Sequence, residues 1–210
     1  MPIQLNGFFL LNHILLVYDN GYMNKTGWIE VICGPMFAGK SEEIIRRCKR
    51  MNYAKKKYIV FKPLIDNRYA DDKVVSHDQR WVNSINISNS SEVMQYISEE
   101  ISAVVFDEVQ FLDEGIVDIC EQLSDSGLRV ICAGLDMDFR GIPFPIMANL
   151  LARAEKVDKL TAICVICGQP ATRTQRIVNG QPASVNDDVI LVAGKESYEA
   201  RCRHCHEVKK

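Results

Sequence analysis

The segment Gly34–Ser41 has the spacing Gly-x-x-x-x-Gly-Lys-Ser, which is typical of loops that wrap phosphate groups. Its two glycines permit backbone geometries that side chains would obstruct, so successive N–H groups can point at an anion. The ammonium group of Lys40 can reach the β- and γ-phosphates of a nucleotide, and the Ser41 hydroxyl can ligate Mg²⁺. We therefore predict a nucleotide-binding loop at this position.

The acid pair Asp107–Glu108 is the second candidate for chemistry, because it follows the apolar residues 103–106 directly. In enzymes with such a phosphate loop, an aspartate at the end of a strand holds the Mg²⁺ shell. The glutamate beside it can accept a proton from the group that attacks the γ-phosphate, either water or a substrate hydroxyl. The pair therefore predicts phosphoryl transfer or hydrolysis.

Four of the eight cysteines form two Cys-x-x-Cys pairs, Cys164/Cys167 and Cys202/Cys205. Four thiolates in this spacing suit a tetrahedral Zn²⁺ with no open position, which would be structural. His204 and His206 flank the last cysteine, so a histidine in place of one cysteine ligand stays an alternative. The loop between the pairs returns to the metal at both ends and is interpreted as a tethered flap.

Cys33, Cys48, Cys120 and Cys132 are scattered through apolar stretches and are predicted to be small buried residues. This usage of cysteine favours a reducing compartment over a disulfide framework. The formal net charge of −2 gives no broad attraction for nucleic acid or an anionic membrane.

Apolar strands that alternate with helices must position these groups, and they imply a parallel sheet covered on both faces. Residues 66–89 are polar and irregular and are predicted to be a mobile loop. Asn179-Gly180 is a hairpin signal. Strands are predicted at 28–33, 57–63, 103–108, 128–133 and 157–164, and helices at 40–52, 91–101, 115–124 and 145–155.

The chain divides into three parts. The last part begins at Cys164, after which helix-forming residues no longer run together. Residues 1–26 are an N-terminal extension, expected to be disordered or to reflect the choice of start site. Residues 27–163 form the α/β nucleotide-binding domain, and residues 164–210 form the zinc lobe.

The apolar segment Gly7–Val17 resembles a signal peptide only superficially. No Lys or Arg precedes it, Asn12 and His13 interrupt it, and it is well short of the ~20 residues needed to cross a bilayer. We expect neither export nor membrane anchoring, and we expect Met23 to be the true start or the start of the fold.

GPMFAGKS, FDEVQF and a four-cysteine lobe that encloses a flap together resemble the zinc-containing type II thymidine kinases. The resemblance runs from Gly27 to Cys205 and includes FKPLIDNRY, GLDMDFRG, RTQR and ESYEARCRHC. It implies a P-loop (RecA-like) parallel sheet flanked by helices, with a C-terminal zinc lobe that carries a substrate-binding lasso loop. It also implies transfer of the ATP γ-phosphate to the 5′-hydroxyl of thymidine, and of deoxyuridine, giving dTMP in pyrimidine salvage.

The same resemblance assigns the site residues. The catalytic group would be Glu108 as general base, with Lys40 and Arg68. ATP and Mg²⁺ would be bound by Gly34, Pro35, Met36, Phe37, Ala38, Gly39, Lys40, Ser41, Asp66, Arg68, Asp107 and Gln110. Thymidine would be bound by Met36, Phe111, Leu135, Phe139, Thr174, Val189, Ile190, Leu191, Val192, Ala193 and Tyr198. Structural Zn²⁺ would be held by Cys164, Cys167, Cys202 and Cys205.

Two positions depart from the family pattern. Ala38 replaces a serine that many relatives carry, and Ala193 stands where a Gly-Gly is often seen. Neither change removes a charged group or a ligand. Family members are generally cytoplasmic homotetramers inhibited by dTTP, and we expect the same here, with no nucleic-acid or membrane partner.

Two other function classes remain as alternatives. A nucleic-acid-dependent ATPase also combines an acid pair with a zinc ribbon, but this chain is short for paired motor domains and has no aromatic-studded basic stripe. A zinc-ribbon binding module whose loop only senses nucleotide is the other alternative. Glu108 beside Asp107 argues against such a passive sensor.

Overall fold

A six-stranded parallel sheet forms the centre of the molecule. The computed structural model describes residues 26–64, 73–75, 81–189 and 196–210. The sheet strands are β1 (Trp28–Cys33), β2 (Lys57–Pro63), β5 (Ile85–Ile87), β6 (Ile101–Phe106), β7 (Arg129–Gly134) and β8 (Lys156–Lys159). They lie side by side in the order β5-β2-β6-β7-β1-β8, and every neighbouring pair is parallel.

Three α-helices cover the two faces of this sheet. Helix α1 (Lys40–Tyr53) buries Ile44, Cys48 and Met51 against one face, whereas α2 (Gly115–Asp125) and α3 (Pro145–Arg153) pack on the other. Alternate residues of each inner strand therefore enter different cores. The predicted doubly covered parallel sheet is confirmed.

A buried ion network ties α1 to the sheet. Arg47 of α1 contacts Glu30 in the middle of β1 and Asp158 on β8, and its Nε donates to Glu43 Oε1 over 2.8 Å. Arg129 also donates to Glu30, over 2.8 Å and 3.0 Å. Burial opposes ionisation of Glu30, but hydrogen bonds from Arg129 and Trp28 hold the pKa of its carboxyl below the usual range. Hydrogen bonds from Arg46 and Arg47 lower the pKa of Glu43 to about 2.

The zinc lobe begins at the end of the main sheet. Its short strands are β9 (Ala162–Ile163) and β10 (Pro170–Ala171), which pair antiparallel. β11 (Arg173–Val178) pairs with β12 (Gln181–Pro182) and with β13 (Glu196–Arg201). Asn179 and Gly180 take positive φ angles of 49° and 76° between β11 and β12, which confirms the predicted hairpin.

The predicted irregular loop at 66–89 is wrong in part, because it contains strands. β3 (Lys73–Val75) pairs antiparallel with β4 (Trp81–Asn83), and β5 adds to the free edge of β2. The apolar alternation in β5 is only three residues long, which is too short to distinguish from loop sequence.

Other predicted elements also differ from the structure. The strand predicted at 103–108 is β6 at Ile101–Phe106, so the acid pair follows the strand and does not form its last two residues. The helix predicted at 91–101 is a 3₁₀ helix at Ser90–Tyr96, and it begins with a capping box between Asn89 and Glu92. The strand predicted at 157–164 is two strands with different partners: β8 pairs with β1 as far as Lys159, and β9 pairs with β10. The Leu160 N–H adds one more hydrogen bond to β1, to the Cys33 carbonyl at 2.8 Å.

The four scattered cysteines are all buried, as predicted. Burial raises the pKa of Cys33 and of Cys48 to about 11, which disfavours the reactive thiolate form. Among the parts of the chain described above, no helix is both long and apolar enough to span a membrane.

Candidate active site

The carboxyl ends of β1, β7 and β6 lie side by side at one edge of the sheet. Cys33 pairs with Gly134, and Phe106 pairs with Cys132, so the residues that follow these strands meet at this edge. Ligands of open α/β sheets bind outside this edge. The phosphate loop and the acid pair, predicted from separate parts of the sequence, therefore lie at the same edge of the sheet, with one strand, β7, between them.

The phosphate loop has a backbone that its first glycine makes possible. Gly34 has φ of 146°, and a Cβ there would lie 2.5 Å from the carbonyl oxygen of Leu160. No L side chain fits that position without displacing the turn after β8. The loop then enters α1 at Lys40, so the amino end of that helix and its positive dipole face the same space.

Lys40 is buried and its side chain lies within the loop. Its Nζ donates to the carbonyl oxygens of Pro35 at 2.8 Å and Gly34 at 3.2 Å. These bonds hold the ammonium group beside the loop N–H groups that would face a phosphate. Ser41 follows in the first turn of α1 and is partly accessible, as a Mg²⁺ ligand must be. Phe37 is exposed with a φ of 65°.

The two acids differ in their surroundings. Asp107 is buried, and its Oδ1 accepts the backbone N–H of Glu108 at 3.1 Å. Glu108 takes a left-handed backbone conformation, with φ of 50° and ψ of 39°. This turn redirects the chain after β6, so the two neighbouring carboxylates do not continue the alternation of the strand.

Gln110 connects the acid pair to β7. Its Nε2 donates to Glu108 Oε2 at 2.6 Å, and its Oε1 accepts the backbone N–H of Leu135 at 3.1 Å. Gly134 makes room for this arrangement, because a Cβ there would lie 2.2 Å from Gln110 Oε1. The assignment of Gln110 to the donor phosphates and Mg²⁺ stays a prediction; the contacts seen here orient Glu108.

The apolar residues that the resemblance assigns to thymidine binding lie at the same edge of the sheet. Leu135 and Phe139 are buried, Met36 is half-buried, and Phe111 packs edge-on against Phe144 with ring centroids 6.0 Å apart. These side chains offer an apolar surface beside the acid pair. A flat heterocycle with a methyl group suits such a surface.

A hydrogen bond joins the zinc lobe to the phosphate loop. The Met36 N–H donates to the Thr174 hydroxyl at 3.0 Å, and Thr174 is buried on β11. The structure therefore brings together two residues that sequence reasoning placed in one pocket. It also shows that this loop N–H points at the lobe.

Two residues contact Phe139, although the sequence suggested no contact with it: Arg176 had no predicted role, and His206 was only an alternative metal ligand. The guanidinium of Arg176 lies 5.1 Å from the centroid of the Phe139 ring, and its Nη1 donates to the Asp188 carbonyl at 2.5 Å. His206 Nε2 donates to the Phe139 carbonyl at 2.7 Å. Burial, with the nearby Arg173 and Arg201 charges, lowers the pKa of His206. Neither contact has a sequence signal, because both partners are distant in the chain.

The four paired cysteines form one cluster, with their sulfur atoms within 4.8 Å of one another. The Sγ atoms of Cys167 and Cys202 are 3.7 Å apart. Four sulfurs at the usual Zn–S distance of about 2.3 Å stand about 3.8 Å from one another, so this donor set fits tetrahedral Zn²⁺. The histidine alternative is not needed here, since His206 points to Phe139 and His204 is exposed.

Two of the four cysteine sulfurs favour the thiolate, the form that binds metal. Burial opposes ionisation of Cys164, but backbone N–H groups of Cys202, Cys167 and Ile166 lower the pKa of its thiol to about 6. Backbone hydrogen bonds from Cys205 likewise lower the pKa of Cys202. The pKa values of the other two thiols are raised. A backbone hydrogen bond from Gln169 favours the Cys167 thiolate, but hydrogen bonds to Cys164 and Cys202, together with burial, outweigh it, and hydrogen bonds to Cys202 and Cys167 raise the pKa of Cys205 to about 12.

Several assigned residues fall outside the described residues, so their places in the site stay predictions: Asp66, Arg68, Ile190, Leu191, Val192 and Ala193. Val189, at the edge of that gap, is half-buried. Tyr198 pairs with Arg176 across β13 and β11, which places it on the sheet of the zinc lobe.

Comparison with solved structures finds two ATPases of similar extent. One is the ATPase domain of a larger protein, with 10% identity, a TM-score of 0.45, and coverage of 71% of this chain and 80% of that chain. The other is titled "ATPase", with 11% identity, a TM-score of 0.44, and coverage of 84% and 80%. Residues 27–206 match a family model described as thymidine kinase.

Proposed function

Because the chain belongs to the thymidine kinase family, we propose that it transfers the γ-phosphate of ATP to the 5′-hydroxyl of thymidine and of deoxyuridine. The observation that carries the proposal is the position of Glu108. It follows β6 at the same edge of the sheet as the phosphate loop, one strand away, and Gln110 holds its carboxylate by a hydrogen bond of 2.6 Å.

In the proposed reaction, Glu108 accepts the proton of the nucleoside 5′-hydroxyl as its oxygen attacks the γ-phosphorus. The bond between that phosphorus and the β–γ bridging oxygen breaks, and ADP leaves with that oxygen. Lys40 and the amino end of α1 stabilise negative charge on the transferred group. We propose that Arg68 contributes a further positive charge and that Asp66 assists it.

Mg²⁺, when bound, would neutralise charge on the β- and γ-phosphates. Ser41 Oγ and the Asp107 carboxylate are the groups proposed to hold it. Asp107 is suited to this, since it lies at the end of β6 at the same edge as the loop. Glu108 is then left for proton transfer.

The zinc lobe has a structural part in this proposal. The closed four-cysteine set leaves no position for substrate, so the metal would fix the two ends of the lasso. We propose that residues 189–193 and Tyr198 grip the pyrimidine edge, largely through backbone groups. A base with the wrong donors would leave buried groups unpaired, at a cost of about 1–3 kcal/mol for each group.

We propose on family membership alone that the protein is a cytoplasmic homotetramer of pyrimidine salvage and that dTTP inhibits it. Sedimentation of the purified protein tests the assembly. Titration of the activity with dTTP tests the inhibition.

The substitution Glu108→Gln tests the proposed base. Glutamine can still accept the hydrogen bond from Gln110, so the loop geometry is retained while the proton acceptor is lost. We expect kcat to fall about 10²–10⁴-fold, with ATP affinity within about twofold of wild type. Glu114→Gln, at an exposed position a few residues later, is the matched control and leaves kcat unchanged.

The assay incubates the enzyme with Mg·ATP and each deoxynucleoside and measures monophosphate formation. Normal turnover in Glu108→Gln with weakened ATP binding would refute the assignment. ATP hydrolysis stimulated by DNA, without nucleoside phosphorylation, would support the nucleic-acid-dependent ATPase instead.

A further inference from the structure

The segment that follows the second cysteine pair, residues 206–209, lies across the zinc lobe, and we call it the C-terminal strap. At its start, His206 Nε2 donates to the Phe139 carbonyl over 2.7 Å. At its end, the Lys209 N–H donates to the Ala183 carbonyl at 2.9 Å, and its carbonyl accepts the Val185 N–H at 2.8 Å. The strap therefore connects the loop after β7 to residues 183–185, which follow β12.

The middle of the strap is fixed by a buried side chain. The Gln175 amide accepts the Glu207 N–H and donates to the Glu207 carbonyl, both at 2.8 Å. Gln175 lies on β11 and is 1% exposed. Its neighbours in sequence are Thr174, which contacts the phosphate loop, and Arg176, which contacts the Phe139 ring. The strap is thus anchored on β11, the strand that contacts both the phosphate loop and Phe139.

The position of His206 is also set by the second cysteine pair, Cys202 and Cys205. Its backbone N–H donates to the Cys202 carbonyl at 3.1 Å, and it follows Cys205 directly. Because the backbone of His206 is held by the second cysteine pair, its imidazole has little freedom to follow a partner that moves. The Phe139 carbonyl that it binds must therefore stay in one place relative to the lobe.

Within the loop that carries Phe139, the hydrogen bonds are short-range. The Asp138 carboxylate accepts the N–H groups of Arg140 at 2.9 Å and Ile142 at 3.0 Å, and these bonds close the turn on itself. Contacts from outside the loop fix its place. Lys159 pairs with Asp136 at 2.9 Å, and Arg173 Nη1 lies 3.2 Å from Met137 Sδ. Phe139 itself is contacted by Arg176 at its ring and by His206 at its carbonyl, and both of these residues come from the zinc lobe.

We infer that His206 is a positioning residue for nucleoside binding, which acts by holding Phe139 in the base pocket through its backbone carbonyl. The inference rests on the proposed function, since it takes the nucleoside as the occupant of that pocket. It predicts that His206 affects nucleoside affinity and leaves ATP affinity unchanged. It also links the second cysteine pair to the nucleoside site through the imidazole of His206.

The test compares His206→Phe, which keeps a ring but loses the donor, with His206→Gln, whose amide N–H can reach the same carbonyl. We expect His206→Phe to raise KM for thymidine about fivefold, the effect of one net hydrogen bond. KM for ATP should stay within twofold in both variants, and His206→Gln should recover most of the thymidine affinity. His204→Phe is the matched control, because it places the same side chain at an exposed position of the same knuckle.

A second measurement does not depend on substrate. Hydrogen exchange of the peptide that spans residues 134–144 should accelerate at least about threefold in His206→Phe and stay near wild type in the other two variants. Zinc content of all variants is measured alongside, and a His206→Phe protein that does not fold is replaced by His206→Asn, whose amide is too short to reach the carbonyl.

Unchanged exchange in this peptide overturns the inference, and so does an active His206→Phe enzyme whose KM for thymidine is within twofold of wild type. If the wild-type protein phosphorylates neither thymidine nor deoxyuridine, the proposed function fails, and the exchange measurement alone decides whether His206 holds the loop.

Discussion

Gly134→Ala is the substitution whose effect the structure defines most closely. The new Cβ would lie 2.2 Å from Gln110 Oε1 and 3.0 Å from Met147 Sδ. Ordinary contact requires about 3.4 Å or more, so the amide oxygen must move by about 1 Å. That movement breaks its bond with the Leu135 N–H, now 3.1 Å, and pulls Nε2 away from Glu108.

The expected loss of stability follows from these two bonds. Leaving the buried Leu135 N–H without a partner costs about 1–3 kcal/mol, and the partly exposed bond to the Glu108 carboxylate adds about 1 kcal/mol. We therefore expect the free energy of unfolding to fall by about 2–4 kcal/mol. Because the proposed base also loses its orientation, kcat for thymidine should fall about 10²-fold.

Urea unfolding of a double-mutant cycle tests whether the effect passes through Gln110. In a Gln110→Ala background the obstructing amide is absent, so Gly134→Ala should cost less by about 1–3 kcal/mol. Equal costs in the two backgrounds would refute this reasoning, as would a Gly134→Ala enzyme with wild-type stability and kcat.

Two further predictions concern the metal cluster and the ion network. Removing zinc with a chelator should weaken thymidine binding and stability more than ATP binding; full nucleoside affinity in metal-free protein would contradict the role of the lobe. Arg47→Met should lower the free energy of unfolding at neutral pH by about 1–3 kcal/mol, because it removes one of the partners of the buried Glu30 carboxylate, which keeps Arg129. The Glu43 carboxylate stabilises the fold fully above its unfolded pKa of 4.5 and loses that contribution as the pH falls toward about 2, so the difference between wild type and Arg47→Met should narrow over that range. A difference that widens on acidification, in urea titrations at several pH values, would be inconsistent with this network.

The parts of the fold that local sequence determines were predicted well. β1 and β2 have the predicted bounds, because each is a mainly apolar run with a clear end, at Gly34 for β1 and at Pro63 for β2. The elements that failed depend on distant partners. β5 exists because β2 offers a free edge, and the break between β8 and β9 exists because the chain changes partner there, from β1 to β10.

The same distinction applies to the site. The phosphate loop, the acid pair and the cysteine cluster are short motifs whose chemistry is visible in the residues themselves. The role of Gln110 in orienting Glu108 requires knowing that β7 ends beside the acid pair. His206 lies among metal ligands in the sequence, and only the packing of the lobe directs its ring to Phe139.

The bond between Met36 and Thr174 joins residues 138 positions apart, and almost the whole parallel sheet lies in the chain between them. Closing so long a segment is entropically costly until the intervening strands have paired. The residues proposed to bind ATP all precede β7 in the chain. The proposed nucleoside site, in contrast, is complete only when the zinc lobe has docked. A folding chain would thus gain the capacity to hold ATP before it can discriminate among nucleosides.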